Sequence, residues 1–385
     1  MSGVDPSAAV AKQTKLAAEI FDELYNKTFD GVGVTRASYG EGEQVASELL
    51  ESHSKKLGLV IDHDAAGNIY MTMRGESQEA PPIVIGSHID SVAQGGNFDG
   101  AAGVISGLIA CAGVIERGIR LPQDVRVMGI RAEESAWFGV SYIGSRSALG
   151  TLPKDALDNA KRSDTGITLG EHMLNAGCNP DALREGDIYL PPSSLKAYLE
   201  VHIEQGPVLD CKALPLGIVT GIRGNRRLPS AKCIGEYSHC GGVPRSYRKD
   251  AVLAVTDLIN YLDKVWDECE NKGEDFAFTV GKFFTDKEWH AMTKISGAVE
   301  FSLDMRSLDG DFIESMTKRV CEEASRIEQK RGVQFDLGEF TRAAPGPMDE
   351  QIKARMLSGA DSLGIPFMEI PSGASHDAAA FAAAS

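Results

Sequence analysis

The sequence predicts an α/β protein: a mixed, mostly parallel sheet flanked by helices, with a smaller α+β domain inserted into it. Three observations carry this. From Pro82 onward short strand-like runs alternate with helical ones, the pattern of a parallel sheet with crossover helices. Between 218 and 331 the order becomes strand, helix, strand, strand, helix. After 332 strand-like and helical text resumes. The expected boundaries are therefore 1–217 and 332–385 for the two parts of the main domain, and 218–331 for the insertion.

Residues 5–58 read as helical pieces, with Glu43, Val45, Leu49 and Leu50 in an amphipathic run that ends near Gly58. LGLVID, the turn Asp64–Asn68 and IYMTM then read as a hairpin, because Asp, Gly and Asn separate two apolar runs. IVIGS at 83–87 predicts a strand, 101–115 a helix with Val104, Leu108 and Ile115 on it, DVRVMGIR a strand, and AYLEVHI another. In the insertion, GIVTGI is followed by a helix presenting Val252, Val255, Leu258, Ile259 and Leu262 on one face. DFAFTVGKF and GAVEFSLDMRS predict strands, and a second helix carries Ile313, Met316, Val320, Ala324 and Ile327. GVQFDLGEF, a helix near 349–363 and FMEI are expected to return to the first sheet.

Composition narrows the function. The 385 residues include 55 acidic and 39 basic side chains, a net charge of −16, which argues against nucleic acid or an anionic membrane surface as partners. No apolar run approaches the roughly 20 residues that cross a bilayer, and MSGVDPSAAVAKQTK lacks a signal-peptide core, so a cytoplasmic location is expected. The seven cysteines form no C-x-x-C pair and are expected to be mostly small buried side chains. GVGVTR has Arg36 where a dinucleotide loop needs glycine, and neither a P-loop nor G-x-S-x-G occurs.

Chemistry concentrates at predicted strand ends. His88 closes PIVIGSHID, Glu133 and Glu134 follow VRVMGIRA, His202 closes YLEVHIEQ, and His376 lies in the loop PSGASHDA after FMEI. Asp99 ends the loop QGGNFDG just before a helix. In an open α/β sheet the loops at the carboxyl ends of the strands converge on the ligand crevice. Three imidazoles and two or three carboxylates suit borderline divalent ions, zinc, manganese, cobalt or nickel, and allow a carboxylate to bridge two of them. A bridged pair of ions supports hydrolysis of an amide-like bond. Adjacent Glu133 and Glu134 diverge on an extended backbone, so one can bind metal while the other serves as general base. Asp90 is placed to accept the second N–H of the His88 ring and fix its tautomer. A pair of dications outweighs two carboxylates and a hydroxide, leaving a positive site for a small anionic substrate.

Each residue taken alone has a duller explanation. A single histidine is more often a surface or packing residue; it is the joint placement at strand ends that argues for ligation. His53, His63, His172 and His290 are set aside on that ground. Asp99 also reads as the N-cap of the following helix. Cys240 beside His239 lacks an orienting partner and reads as a buried thiol.

GSHIDSVAQGGNFDGAAG, the EES doublet with FGVSYIGSR, HIEQGPVLD, GIVTGIRGNRR, SHCGGVP, LDMRS and SGASHDA together resemble the hydantoinase/carbamoylase family of dinuclear metallohydrolases, from GVTRASYGEGE near the N-terminus to the last residues. The resemblance implies a homodimer of catalytic domains with inserted lid and dimerisation domains. It implies two divalent ions, one on His88 and His202, the other on Glu134 and His376, with Asp99 bridging and Glu133 as general base. It further implies that Gln205 touches substrate and that His239 reaches the partner subunit's site as an oxyanion donor. Arg306 would clamp a substrate carboxylate through its planar fork; without the resemblance it reads as a strand-end surface charge.

Two positions depart from the family pattern. Thr293 replaces an asparagine that helps bind the carboxylate, and Ser375 replaces the glycine before the last histidine. Relatives continue beyond AAAFAAAS into another strand and helix, so the resemblance implies a shortened C-terminus. The expected reaction is hydrolysis of an N-carbamoyl-L-amino acid to the amino acid, ammonia and carbon dioxide. The alternatives are allantoate hydrolysis, an aminoacylase or peptidase activity, and an inactive truncated dimeric remnant.

Overall fold

The computed structural model describes residues 6–385 and divides them into two compact units. One unit runs to Ala213 and takes in Gly359–Ile365 and His376–Ser385; the other comprises Leu214–Ser358 and Pro366–Ser375.

The first unit is built on a five-stranded sheet. Its strands are β1 (Val60–His63), β2 (Ile69–Met73), β3 (Ile83–His88), β4 (Val125–Ile130) and β5 (Ala197–Leu199), in the order β1-β2-β4-β3-β5. The expected hairpin is present as the antiparallel β1–β2 pair, its turn closed by Asp64, which accepts the Ala66 and Asn68 N–H groups at 3.0 Å each. β2 runs antiparallel to β4, and β3 lies between β4 and β5, parallel to both. The helix Ala101–Glu116 packs on this sheet and is apolar nearly all round, with Val104, Ile105, Leu108 and Cys111 buried, as a helix covered on several sides must be.

Register fixes where the site can form. His88 pairs with Ile130, and Ile85 with Leu199. The chain therefore leaves β3, β4 and β5 at one edge, carrying His88, the doublet Glu133–Glu134 and His202 with it. The strand β5 stops at Leu199, so His202 follows the strand rather than closing it. The helix Ala378–Ala384 completes this unit: Phe381 stacks on Tyr198 with centroids 3.6 Å apart.

The second unit holds β6 (Leu216–Ile222) and β7 (Gly224–Ile234). Strand Ala298–Ser307 pairs antiparallel with β7 and alternates in burial along its length, leaving one face mostly half-buried and burying Val299, Phe301, Leu303 and Met305. Helices Ala251–Lys272 and Gly310–Arg331 cover that face with the predicted residues: Val255, Leu258 and Leu262 from the first, and Ile313, Met316, Val320 and Ile327 from the second.

Three expectations need correction. Residues 332–340 do not return to the first sheet: Gln334–Asp336 pairs with β7, and so does Thr341–Ala343. FMEI does not return either, because Phe367–Ser372 runs parallel to β6. The second unit accordingly reaches beyond the expected 218–331. Strand patterning shows that a segment wants a partner, not which edge supplies it. Nor are most thiols buried: Cys111, Cys233 and Cys269 are, Cys178 and Cys240 are half-buried, and Cys211 and Cys321 are exposed. Among the described residues no helix is long and apolar enough to cross a membrane.

Candidate metal centre

The side chains at the sheet edge of the first unit meet. Nε2 of His88 lies 3.3 Å from Nε2 of His202, and Asp99 Oδ1 lies 3.3 Å from the latter and 3.8 Å from the former. Ligand atoms of His88, Asp99 and His202 all fall within 4.8 Å of one another, and so do those of His88, Glu133 and Glu134. His376 is buried beside them, its ring stacked on His202 with centroids 5.1 Å apart, outside both sets of three.

Local structure aims these groups. Gly100 has φ +63°, and a Cβ there would sit 2.5 Å from the His88 ring, so only glycine lets the Asp99 loop close on that imidazole. Asp99 does not cap the helix that follows: its main-chain carbonyl accepts the Ala101 N–H, while Oδ2 accepts from Gln205 Nε2 at 2.7 Å. Nδ1 of His88 faces the Asp90 carbonyl at 3.0 Å and the Asp90 carboxylate at 3.4 Å. With Nδ1 directed at acceptors, the ring is held as the tautomer whose Nε2 lone pair faces the site. The same Asp90 carboxylate accepts Ser38 Oγ at 2.6 Å and the backbone N–H groups of Glu133 and Glu134 at 3.1 and 3.2 Å. Ala132, just before the doublet, has φ +54°, and its N–H donates to buried Glu43 at 2.8 Å.

Sequence reasoning missed Arg36, Glu200 and Asp377. Arg36 is fully buried and donates to the carbonyls of Ile89 and Asp99 at 2.7 and 3.1 Å, tying together the loops that carry His88 and Asp99. Burial pulls its guanidinium down to about 10, so it stays charged at neutral pH. Glu200 accepts Ser87 Oγ at 2.8 Å and the Ala378 N–H at 2.6 Å, and faces His376 Nδ1 at 3.6 Å. Asp377 accepts Ser145 Oγ at 2.5 Å. The adjacency of Glu200 to His202 and of Asp377 to His376 was visible in the sequence; their burial was not.

The electrostatics are those of a site crowded with acid. Burial pushes the Glu134 carboxyl up to about 7 against the pull of His88, and the Glu133 carboxyl well above its usual range, with Asp377 and Asp90 adding to the effect. Burial, reinforced by Asp377, carries Glu200 to about 8, and burial alone is the main reason Asp377 reaches about 7. Among the imidazoles, burial and then His202 and His88 depress His376 to about 3, and burial and then His88 depress His202. For His88 burial is outweighed by Asp90, Glu133 and Asp377, which raise it well above the ordinary value. Asp99 Oδ1 has no hydrogen-bond partner among the described residues although it is buried. A buried acceptor without a donor, aimed at two imidazole nitrogens and flanked by carboxylates held up in pKa, fits a divalent cation, whose charge would pull the raised carboxyls and His88 down and keep His202 and His376 neutral.

The remaining expected residues, His239, Thr293 and Arg306, belong to the second unit. His239 lies on the two-residue strand Ser238–His239, paired with Lys294–Ile295. Its Nδ1 accepts the N–H groups of Gly241 and Gly242 at 3.2 and 3.1 Å, so the ring proton sits on Nε2 and that atom is a donor. Thr293 presents its carbonyl to the Cys240 N–H at 3.0 Å. Arg306 has its fork on Asp304, at 3.1 and 2.9 Å, and its Nη1 on the Gly373 carbonyl.

Comparison with known proteins identifies the family. The model of peptidase family M20/M25/M40 matches residues 84–385. An N-carbamoyl-L-amino acid amidohydrolase from Geobacillus stearothermophilus is 35% identical over 345 residues, covering 90% of this chain and 82% of the relative. An allantoate amidohydrolase from Bacillus subtilis is 30% identical over 355 residues, covering 92% and 83%. A crystal structure of an amidase of the hydantoinase/carbamoylase family from Burkholderia multivorans superposes with a TM-score of 0.87 at 27% identity, over 96% of this chain and 87% of that one. A buried His/Asp/Glu centre at the carboxyl ends of parallel strands, and similarity along nearly the whole chain, place this protein in peptidase family M20/M25/M40, among the metal-dependent hydantoinase/carbamoylase amidohydrolases that cleave C–N bonds.

Proposed function

We propose that the protein hydrolyses an N-carbamoyl-L-amino acid, taking up one water and releasing the L-amino acid, ammonia and carbon dioxide. The observation that carries this reading is the convergence of His88, Asp99 and His202 beside the Glu133–Glu134 doublet. In it, His88, His202 and Asp99 hold one divalent cation, zinc, manganese, cobalt or nickel. Glu134 and His376 hold a second, with Asp99 shared. Such a pair, when bound, supplies Lewis acidity at the ureido carbonyl and a lowered pKa for water.

The rest is done by the chain. Glu133 takes the proton of the attacking water on its carboxylate and returns it to the departing nitrogen. His239, fixed as the Nε2–H tautomer, reaches the partner subunit's site in the homodimer and donates to the carbonyl oxygen as charge grows there. Arg306 leaves Asp304 to take the substrate carboxylate by its fork, with Gln205 and Thr293 supplying further polar contacts. The working form is a homodimer, in keeping with the family resemblance.

Chelation of the purified protein should abolish ammonia release from carbamoyl amino acids, and re-addition of zinc, manganese or cobalt should restore it. Full activity after exhaustive metal removal would sink the reading. Allantoate belongs in the same screen, because the Bacillus subtilis relative is named for it. Acyl-amino acids and dipeptides belong there too, since only ureido substrates release ammonia directly.

A further inference from the structure

Gln205 makes the only side-chain hydrogen bond to Asp99 among the described residues. It divides the carboxylate unequally: Oδ2 is taken by the amide at 2.7 Å, while Oδ1 is left without a donor, 3.3 and 3.8 Å from the two imidazole nitrogens. The amide is held in that pose by its turn. Gln205 has φ +54°, a conformation uncommon outside glycine, and the Glu204 carboxylate pins the turn by accepting the N–H groups of Val208 and Leu209 at 2.8 Å each.

A carboxylate that bridges two cations through both of its oxygens gives one to each. The first set of ligands needs only the free oxygen, Oδ1, with His88 and His202. A second cation drawing on Asp99 needs Oδ2, the atom Gln205 occupies. We infer that Gln205 is a positioning residue that orders cation loading: it turns Asp99 so that Oδ1 serves the His88–His202 pair, and it withholds Oδ2 from the second cation until the amide swings away. The inference rests on the two-cation reading above. It assigns Gln205 a task toward Asp99 in addition to any contact with substrate.

The two effects have opposite signs, which makes them separable. Chelator-stripped full-length protein is titrated calorimetrically with Mn²⁺, wild type beside Gln205→Met, which keeps the side-chain length and loses the donor, and Gln205→Ala. Gln205 is exposed, and matching melting curves of the stripped proteins confirm folding. Wild type is expected to show two separated binding steps. In both variants the first step weakens and the second tightens, each about 10- to 100-fold, the range for loss of one hydrogen bond to a charged group. Two wild-type steps that move in the same direction in the variants, or do not move, overturn the role of Gln205 and leave the dinuclear reading standing. A wild type that takes up fewer than two ions overturns both.

Discussion

Asp90 shows how much one side chain carries. Its carboxylate faces the His88 ring and accepts the backbone N–H groups of Glu133 and Glu134, so a ligand and the acid doublet share one anchor. Asp90→Asn turns an amide N–H toward groups that are themselves donors. Cation affinity, read by metal titration, should fall roughly 10- to 100-fold, as on loss of other partners of ligating histidines. Glu133→Gln is expected to behave differently: cation uptake persists while ammonia release drops about 100-fold or more, because the proton acceptor is gone and the shape is kept. Equal loss of both properties in the two variants would contradict these assignments. Proton competition gives a third expectation. Burial holds Glu134 at about 7 before a cation arrives, so apparent affinity should decline as pH falls below about 7, with protons released on binding.

Among elements, the floor of the site rests on the buried pair Glu43–Arg131. Glu43, on the helix Glu41–Lys56, accepts Arg131 Nε at 2.7 Å and the N–H groups of Tyr39 and Ala132. Arg131→Met strands that carboxylate in the interior and should cost about 3–5 kcal/mol in chemical denaturation. In the second unit, Asp257 on Ala251–Lys272 binds Arg331 and Lys330 at the end of Gly310–Arg331. The Arg331 hydrogen bond, with Lys330, lowers Asp257 to about 2 despite burial. A depressed carboxyl contributes stability above its unfolded pKa near 3.8, and that contribution disappears as pH falls through about 2. The pair is partly solvated, so Asp257→Ala should cost about 1 kcal/mol at neutral pH. In denaturation series the difference from wild type should shrink between pH 4 and 2; a constant difference would rule out the ion pair as its source.

For the whole molecule, cation binding is a folding term as well as a catalytic one. A ligand at 100 times its Kd adds about 2.7 kcal/mol to stability, which should appear as a higher Tm in the presence of cation and as hydrogen-exchange protection at 86–100 and 198–206. How much of this molecule could be read beforehand follows from how local each feature is. The β1–β2 hairpin, the helix faces carrying Leu258 and Met316, and the strand end bearing His88 rest on periodicity and turn chemistry within a few residues. The parallel register that brings His88, Asp99 and His202 together was an inference from the general geometry of such sheets, and it held. Gln334–Asp336 and Phe367–Ser372 were misplaced because strand propensity does not name a partner.

From its own order of residues the chain determined most of its strands and helices and the family to which it belongs, and it offered candidates for ligation. Folding in three dimensions decided what the linear text could not express: that Asp90 serves two loops, that Arg36, Glu200 and Asp377 are sealed beneath the site, and that Gln205 holds one oxygen of Asp99. These are long-range contacts in a desolvated interior, and the free energy of a buried charge depends on which groups surround it rather than on its neighbours along the chain.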